Sequence, residues 1–292
     1  FAALAAVVLA ASFTRPIHSL VEATQELAAG NLTHKIEIGD RKDELGLLAR
    51  KFNTMGEKLT EFDKLKESFV ENVTHDMRAP LQAVTGYVDL ILSGISGQLT
   101  EKQGEQLRVV RDSTDKLSEF VGDILDLTKL QGSAMELVGN PISIPDIVAA
   151  VVEQQIVTAK KYELTLVAEL EANLPLVMGD FNQIQRVVTN LVYNAFKFTP
   201  AGGSVSIRAR REDAAQVRLE VQDTGVGIPE EKLGLVFDKF FQVSETRKYA
   251  RKSGTGLGLT IVKGIIDLHG GKIWAESRLN QGTTFIVLLP SI

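Results

Sequence analysis

Cysteine is absent from the 292-residue chain. That excludes a disulfide, a thiolate zinc site and a cysteine nucleophile. The four histidines, His18, His34, His75 and His269, stand at no metal-ligand spacing. Positive charge is in deficit: the formal net charge is -5 and the pI about 5.5. This argues against nucleic acid as the main partner without excluding a local basic patch. A repeat of the solenoid or propeller kind is missing, as is any low-complexity tract. The uncharged opening, residues 1–13, is too short to span a bilayer, which takes about 20 residues. It also lacks the initial Met and basic region of a signal peptide. The chain is therefore expected to begin inside a transmembrane helix, with Arg15 and His18 at its cytoplasmic boundary.

What is present suits a folded chain of two or three domains, 44% hydrophobic and 24% charged. An amphipathic helix over 16–30 carries Ile17, Leu20, Thr24 and Leu27. A connector over 31–42 has spaced apolar residues, Leu32, Ile36 and Ile38. From Leu45 a heptad runs through Leu48, Phe52, Met55, Leu59 and Phe62, which implies a coiled coil or bundle. Lys66 interrupts it while Leu65 offers itself instead, so a register shift is expected there. The pattern continues to Leu90. Residues 93–97 (SGISG) form a turn, and a second amphipathic helix runs from about Thr100 to Gln131. The apolar face of this hairpin is too large to leave in water. Two copies would close a four-helix bundle, so a homodimer is expected.

Within the first helix of the hairpin, His75 lies about 200° around from Val73, away from the expected seam, and Asp76 follows it. An outward imidazole beside a carboxylate can act as a nucleophile. The acid orients the ring and takes its proton, leaving the other nitrogen free to attack.

Beyond a proline-containing linker at 139–145 the texture changes. Strands alternate with helices: strands at 142–144, 163–170, 176–179, 204–210, 216–223, 272–277 and 283–289, helices at 145–160, 181–197 and 256–269. This predicts an α/β sandwich with a mixed sheet against helices. Asn190, Asn194 and Lys197 share one helix face; an Asn oxygen suits Mg²⁺ and Lys suits phosphate. Asp223 ends a strand and is followed by Gly225 and Gly227. Such a carboxylate can accept the exocyclic amine of adenine while the glycines allow close approach. Gly254, Gly256 and Gly258 open a helix, where free N–H groups make a phosphate site. Between these, residues 237–241 (FDKFF) and a basic run at 247–252 fall in an interval, 229–253, that reads as a mobile flap.

These segments, taken in order, carry a resemblance. The proline, helix, connector, DELG at 43–46 and FNTM at 52–55 resemble a HAMP linker, in which two chains form a parallel four-helix bundle. VTHDMRAPL at 73–81 resembles the H-box of sensor histidine kinases. NLVYNAFKFT, DTGVGI, FDKFF and GTGLGL resemble the N, G1, F and G2 boxes of their ATP-binding domain, the fold shared with gyrase, Hsp90 and MutL. GxxxxGK[ST] does not occur, nor do the HRD and DFG of Ser/Thr/Tyr kinases.

The resemblance implies a multidomain chain: the end of a transmembrane helix (1–13), a HAMP linker (14–66), a dimerising phosphotransfer hairpin of all-α bundle type (67–132) and an α/β sandwich ATP-binding domain (139–292). It implies a homodimeric protein-histidine kinase at a bacterial inner membrane, with ATP and Mg²⁺ as cofactors. His75 would be the phospho-acceptor and Asp76 its base. Asn194 would bind Mg²⁺, with Asn190 and Lys197 near the phosphates and Asp223 on adenine. Gly225, Gly227, Gly254, Gly256 and Gly258 would shape the pocket. The phosphoryl group would pass to a response-regulator receiver domain in a separate protein. One position departs from the family: Ala79 stands four residues after the histidine, where Thr or Asn is usual. A mechanical ATPase of the gyrase/Hsp90 kind and an ATP-binding pseudokinase share the nucleotide boxes and remain alternatives.

Overall fold

The computed structural model describes residues 13–28, 31, 34–37, 41–131, 139–243 and 255–292. The expected membrane segment therefore lies, apart from Phe13, outside the described residues. Among those described, no helix is long and apolar enough to cross a membrane. The chain divides into two compact units, Phe1–Val73 and Thr74–Ile292.

In the first unit, α1 (Arg15–Ala28) and the start of α2 (Glu44–Leu92) enclose a small core. Ala23, Ile36 and Ala49 are buried, with Leu20 and Phe52 against them. Asn53 holds the connector: its Oδ1 accepts from the Ile36 N–H at 2.9 Å and its Nδ2 donates to the Ile36 carbonyl at 3.2 Å. Asp43 opens α2 by accepting from the Gly46 N–H at 3.1 Å. Bonding to Arg41, with that N–H, holds its carboxyl down at about 2. A Cβ on Gly46 would lie 2.2 Å from the Arg41 carbonyl oxygen, so this contact requires glycine. α2 passes Lys66 without a break.

The second unit begins with the rest of α2 and its return partner α3 (Glu101–Gln131). Thr100 caps α3 with a reciprocal pair: its N–H donates to Gln103 Oε1 at 2.9 Å, and its Oγ1 accepts from the Gln103 N–H at 3.3 Å. An Asp89–Arg111 ion pair at 2.6 Å joins the two helices. Val73, expected in a buried seam, is 40% exposed, and Phe62 and Phe69 are more exposed still, at 65% and 69%. Thr74 is the buried neighbour instead. Among the described residues this part of the heptad stripe stays exposed, whereas Phe52 nearer the start of α2 packs on the small core.

The remainder is an α/β sandwich. In order come β1 (Asn140–Ile142), α4 (Ile144–Lys161), β2 (Thr165–Leu170), β3 (Val177–Gly179), α5 (Phe181–Phe198), β4 (Ser204–Arg211), β5 (Gln216–Asp223), a 3₁₀ turn (Glu230–Leu235), α6 (Gly258–Leu268), β6 (Lys272–Arg278) and β7 (Gly282–Pro290). The five-stranded sheet has the order β2-β4-β5-β7-β6, with β2 and β4 parallel and the other pairs antiparallel. β1 and β3 pair separately. On β5, Val217, Leu219 and Val221 alternate inward. α5 buries Ile184, Val187, Val188, Leu191, Val192, Ala195 and Phe196, a three-and-four spacing. At its start Asp180 accepts from the N–H groups of Asn182 and Gln183 at 2.8 and 3.1 Å. The strand predicted at 142–144 forms earlier, at Asn140–Ile142, because Ser143 caps α4 and Ile144 is already helical. The interval predicted as a flap contains a 3₁₀ turn; residues 244–254, with Gly254 and the basic run, lie outside the described residues.

Candidate functional site

A cleft opens between α5, the end of β5, the start of α6 and β7. Asn190, Asn194, Lys197, Asp223, Gly227, Gly256 and Gly258 all line it. Three-and-four spacing on α5 brings the two asparagines and the lysine to the cleft while Leu191 and Ala195 stay in the core. Gly225 stands directly behind Asp223: its N–H donates to Asp223 Oδ1 at 2.7 Å. The Thr283 N–H reaches the same oxygen at 3.3 Å.

Asp223 is only 5% exposed. Burial pushes its carboxyl up to about 6, against the opposing pull of the two N–H donors. Because both donors meet Oδ1, Oδ2 is the oxygen left for a ligand's N–H. Gly227 has φ +69, and a Cβ there would lie 2.1 Å from the Arg278 carbonyl oxygen, so no other residue fits this turn. Burial lowers the Lys197 ammonium, partly offset by Glu119, and the ammonium sits 4.8 Å over the Phe198 ring.

The FDKFF segment closes one side. Phe237 meets Phe285 edge-on at 6.3 Å, and its carbonyl accepts from Thr260 Oγ1 at 2.9 Å. The Phe240 N–H donates to the Gly256 carbonyl at 3.0 Å, which ties this segment to the glycine loop. Phe241 lines the cleft.

Sequence reasoning missed several lining residues. Thr283 and Phe285 come from β7, distant in sequence, and carry no motif. Tyr193, whose hydroxyl burial pushes up to about 12, lies one position before Asn194 and shared its motif. Glu119 and Asp123 come from α3 of the hairpin; nothing in their local sequence points to a cleft.

His75 and Asp76 are not part of this lining. They lie on α2 with side chains 82% and 83% exposed, His75 Nδ1 3.4 Å from Asp76 Oδ1. The ring is held by its neighbour and otherwise open to a reactant. Ala79 is exposed on the same helix.

Residues 8–61 match the HAMP domain, residues 65–133 the His Kinase A (phospho-acceptor) domain, and residues 179–292 the histidine kinase-, DNA gyrase B- and HSP90-like ATPases. The circadian input-output histidine kinase CikA of Synechococcus elongatus is 34% identical over 77% of this chain and 30% of its own length. Drug sensory protein A of Synechocystis sp. is 36% identical over 77% of this chain and 35% of its own. The chain thus spans about a third of the length of these curated relatives. The crystal structure of full-length ShkA in complex with AMPPNP superposes with a TM-score of 0.64 at 28% identity, over 77% of this chain and 46% of that one.

Proposed function

The chain belongs to the sensor histidine kinases, and we propose that it moves the γ-phosphoryl group of ATP to His75 and then to an aspartate of a response-regulator receiver domain. The observation that carries this reading is the convergence of three separated segments on one cleft around buried Asp223, in a chain that also exposes a His-Asp pair.

In this reading Asp223 Oδ2 accepts from the exocyclic amine of adenine, and Gly225 and Gly227 leave room for the ring. Asn190 and Lys197 face the phosphates. Phosphoryl transfer from ATP calls for Mg²⁺. That ion is commonly held by one or two protein oxygens together with substrate phosphates. The Asn194 carbonyl oxygen would hold it, and the ion would screen phosphate charge. The AMPPNP bound to ShkA supports a nucleoside triphosphate in this fold.

At the acceptor, Asp76 keeps the His75 proton on Nδ1 and leaves the Nε2 lone pair outward. Nε2 attacks the γ-phosphorus in line, the bond to the β–γ bridging oxygen breaks, and ADP leaves. The Nδ1 proton passes to Asp76 as the ring gains its new bond. The receiver aspartate then takes the phosphoryl group from Nε2. A HAMP match at 8–61 supports a membrane-linked sensor at the bacterial inner membrane. The exposed Phe62, Phe69 and Val73 of α2 support a homodimer.

Incubation with γ-labelled ATP tests the reading. Acid-labile, base-stable label confined to the peptide bearing His75 is expected. Label on Ser, Thr or Tyr, or ATP hydrolysis without label, would point instead to another kinase chemistry or to a mechanical ATPase.

A further inference from the structure

The cleft is walled in part by the hairpin. Glu119 and Asp123 of α3 line it beside Asn190, Asn194, Lys197 and Thr255. Asp123 Oδ2 accepts from Thr255 Oγ1 at 2.7 Å, so the carboxylate is bound to the glycine loop that opens α6. Arg186 of α5 pairs with Asp126 and stands 4.0 Å from Asp123. Phe120, Ile124, Leu127 and Leu130 pack on the sandwich core. Leu130 Cδ1 would be 3.1 Å from a Cβ on Gly264, so α3 and α6 meet closely.

Two carboxylates at the phosphate end of a triphosphate site oppose its ligand. Glu119 acts on Lys197, the one cation lining the cleft among the described residues. Asp123 occupies the hydroxyl of Thr255. Burial raises the Asp123 carboxyl, with Thr255 and Arg186 opposing that rise. An incoming polyphosphate would meet like charge on both acids and compete for the groups they hold.

The docking also has a defined height on the hairpin. Asp89–Arg111 sets the register. At 1.5 Å per residue, His75 lies about 21 Å from that pair along α2, and Asp123 and Asp126 about 18 and 22 Å along α3. The docked segment is level with His75 but on the other helix.

We infer that the 119–130 segment of α3 is a latch in competition with nucleoside triphosphate. Closed, it parks the ATP domain on α3 at the height of His75; filling the phosphate end of the cleft opens it. The inference rests on reading the cleft as a nucleotide site. Because coupling is reciprocal, weakening the latch must tighten nucleotide binding.

The test is calorimetric titration of the full chain with AMPPNP, and separately with ADP, at fixed Mg²⁺. The variants are Asp126→Asn, Arg186→Gln and the exchange Asp126→Arg with Arg186→Asp; neither position lines the cleft. Each single substitution should tighten AMPPNP by about 5–20-fold and ADP by less, since ADP lacks the terminal phosphate. The exchange should restore an affinity within about twofold of wild type. Unchanged or weaker AMPPNP binding in folded single variants would overturn the latch. So would an exchange that binds as tightly as the singles. A wild-type chain that binds neither nucleotide would remove the nucleotide reading of the cleft, and the latch with it.

Discussion

The two halves of the proposed reaction are built in opposite ways. At the acceptor, His75 and Asp76 are more than four-fifths exposed and meet each other at 3.4 Å. At the donor, Asp223 is 5% exposed, receives two backbone N–H groups and is pushed up to about 6. An acceptor that must meet two different partners, a nucleotide and a receiver domain, has to stand clear of the fold. A site that must select one base has to enclose it, because a hydrogen bond discriminates when the alternative leaves a buried group unpaired. Chemistry at the first site depends on neighbours in sequence. Chemistry at the second depends on the whole sheet.

That contrast can be broken at either end. Asp76→Asn should slow labelling of His75 by ~10²–10⁴, the usual worth of a positioned general base, with nucleotide affinity unchanged. A rate within a factor of two of wild type would take Asp76 out of that role.

Asp223→Asn should weaken ATP binding by about 10–100-fold, the range for losing a charged hydrogen bond. It should also narrow the preference for ATP over GTP, since an amide can donate where a carboxylate only accepts. In wild type, ATP affinity should fall as pH drops through about 6, where Asp223 gains its proton. Stability should move the other way. A folded-state value raised from 3.8 to about 6 means that the folded chain holds this proton more tightly than the unfolded one. The associated stability is present below the unfolded value and is lost as pH rises through about 6. At pH 8 the nucleotide-free Asp223→Asn chain should therefore be more stable by on the order of 1–3 kcal/mol, and its thermal midpoint higher. That gain should shrink toward pH 4. An equal midpoint shift at both pH values would show that the buried charge is not its source.

The smallest effect concerns Ala79. One turn beyond His75, it offers neither donor nor acceptor to a water attacking the regulator's aspartyl phosphate. Wild type should therefore dephosphorylate its regulator slowly. Ala79→Thr should accelerate decay of the purified phospho-regulator in the presence of ADP, with labelling of His75 close to wild type. Rapid decay with wild type would shift attention to Gln82.

The legibility of the sequence follows the same division. The His-Asp pair could be read because its geometry is local to one helix. The α5 face could be read because 3.6-residue periodicity fixes which side chains share a side. β5 was legible to its last residue, Asp223, because alternation and a following glycine mark both face and end. Tertiary contacts were not legible. Thr283 joins Asp223 only because β7 lies beside β5 in the sheet. Glu119 and Asp123 reach the cleft only because α3 packs on the sandwich, and in sequence they read as the polar face of an amphipathic helix. The seam residues Phe62, Phe69 and Val73 show the converse case. Their heptad was plain, yet among the described residues they remain exposed, so the pattern alone did not say what would cover them.

The separation of acceptor from donor is the centre of the account, and His75→Gln tests it most directly when label and affinity are measured on the same preparation. The account expects no acid-stable or acid-labile label from γ-labelled ATP, while AMPPNP binds within about twofold of wild type, because His75 lies outside the cleft. Label persisting on another residue, or nucleotide affinity collapsing together with the label, would contradict it.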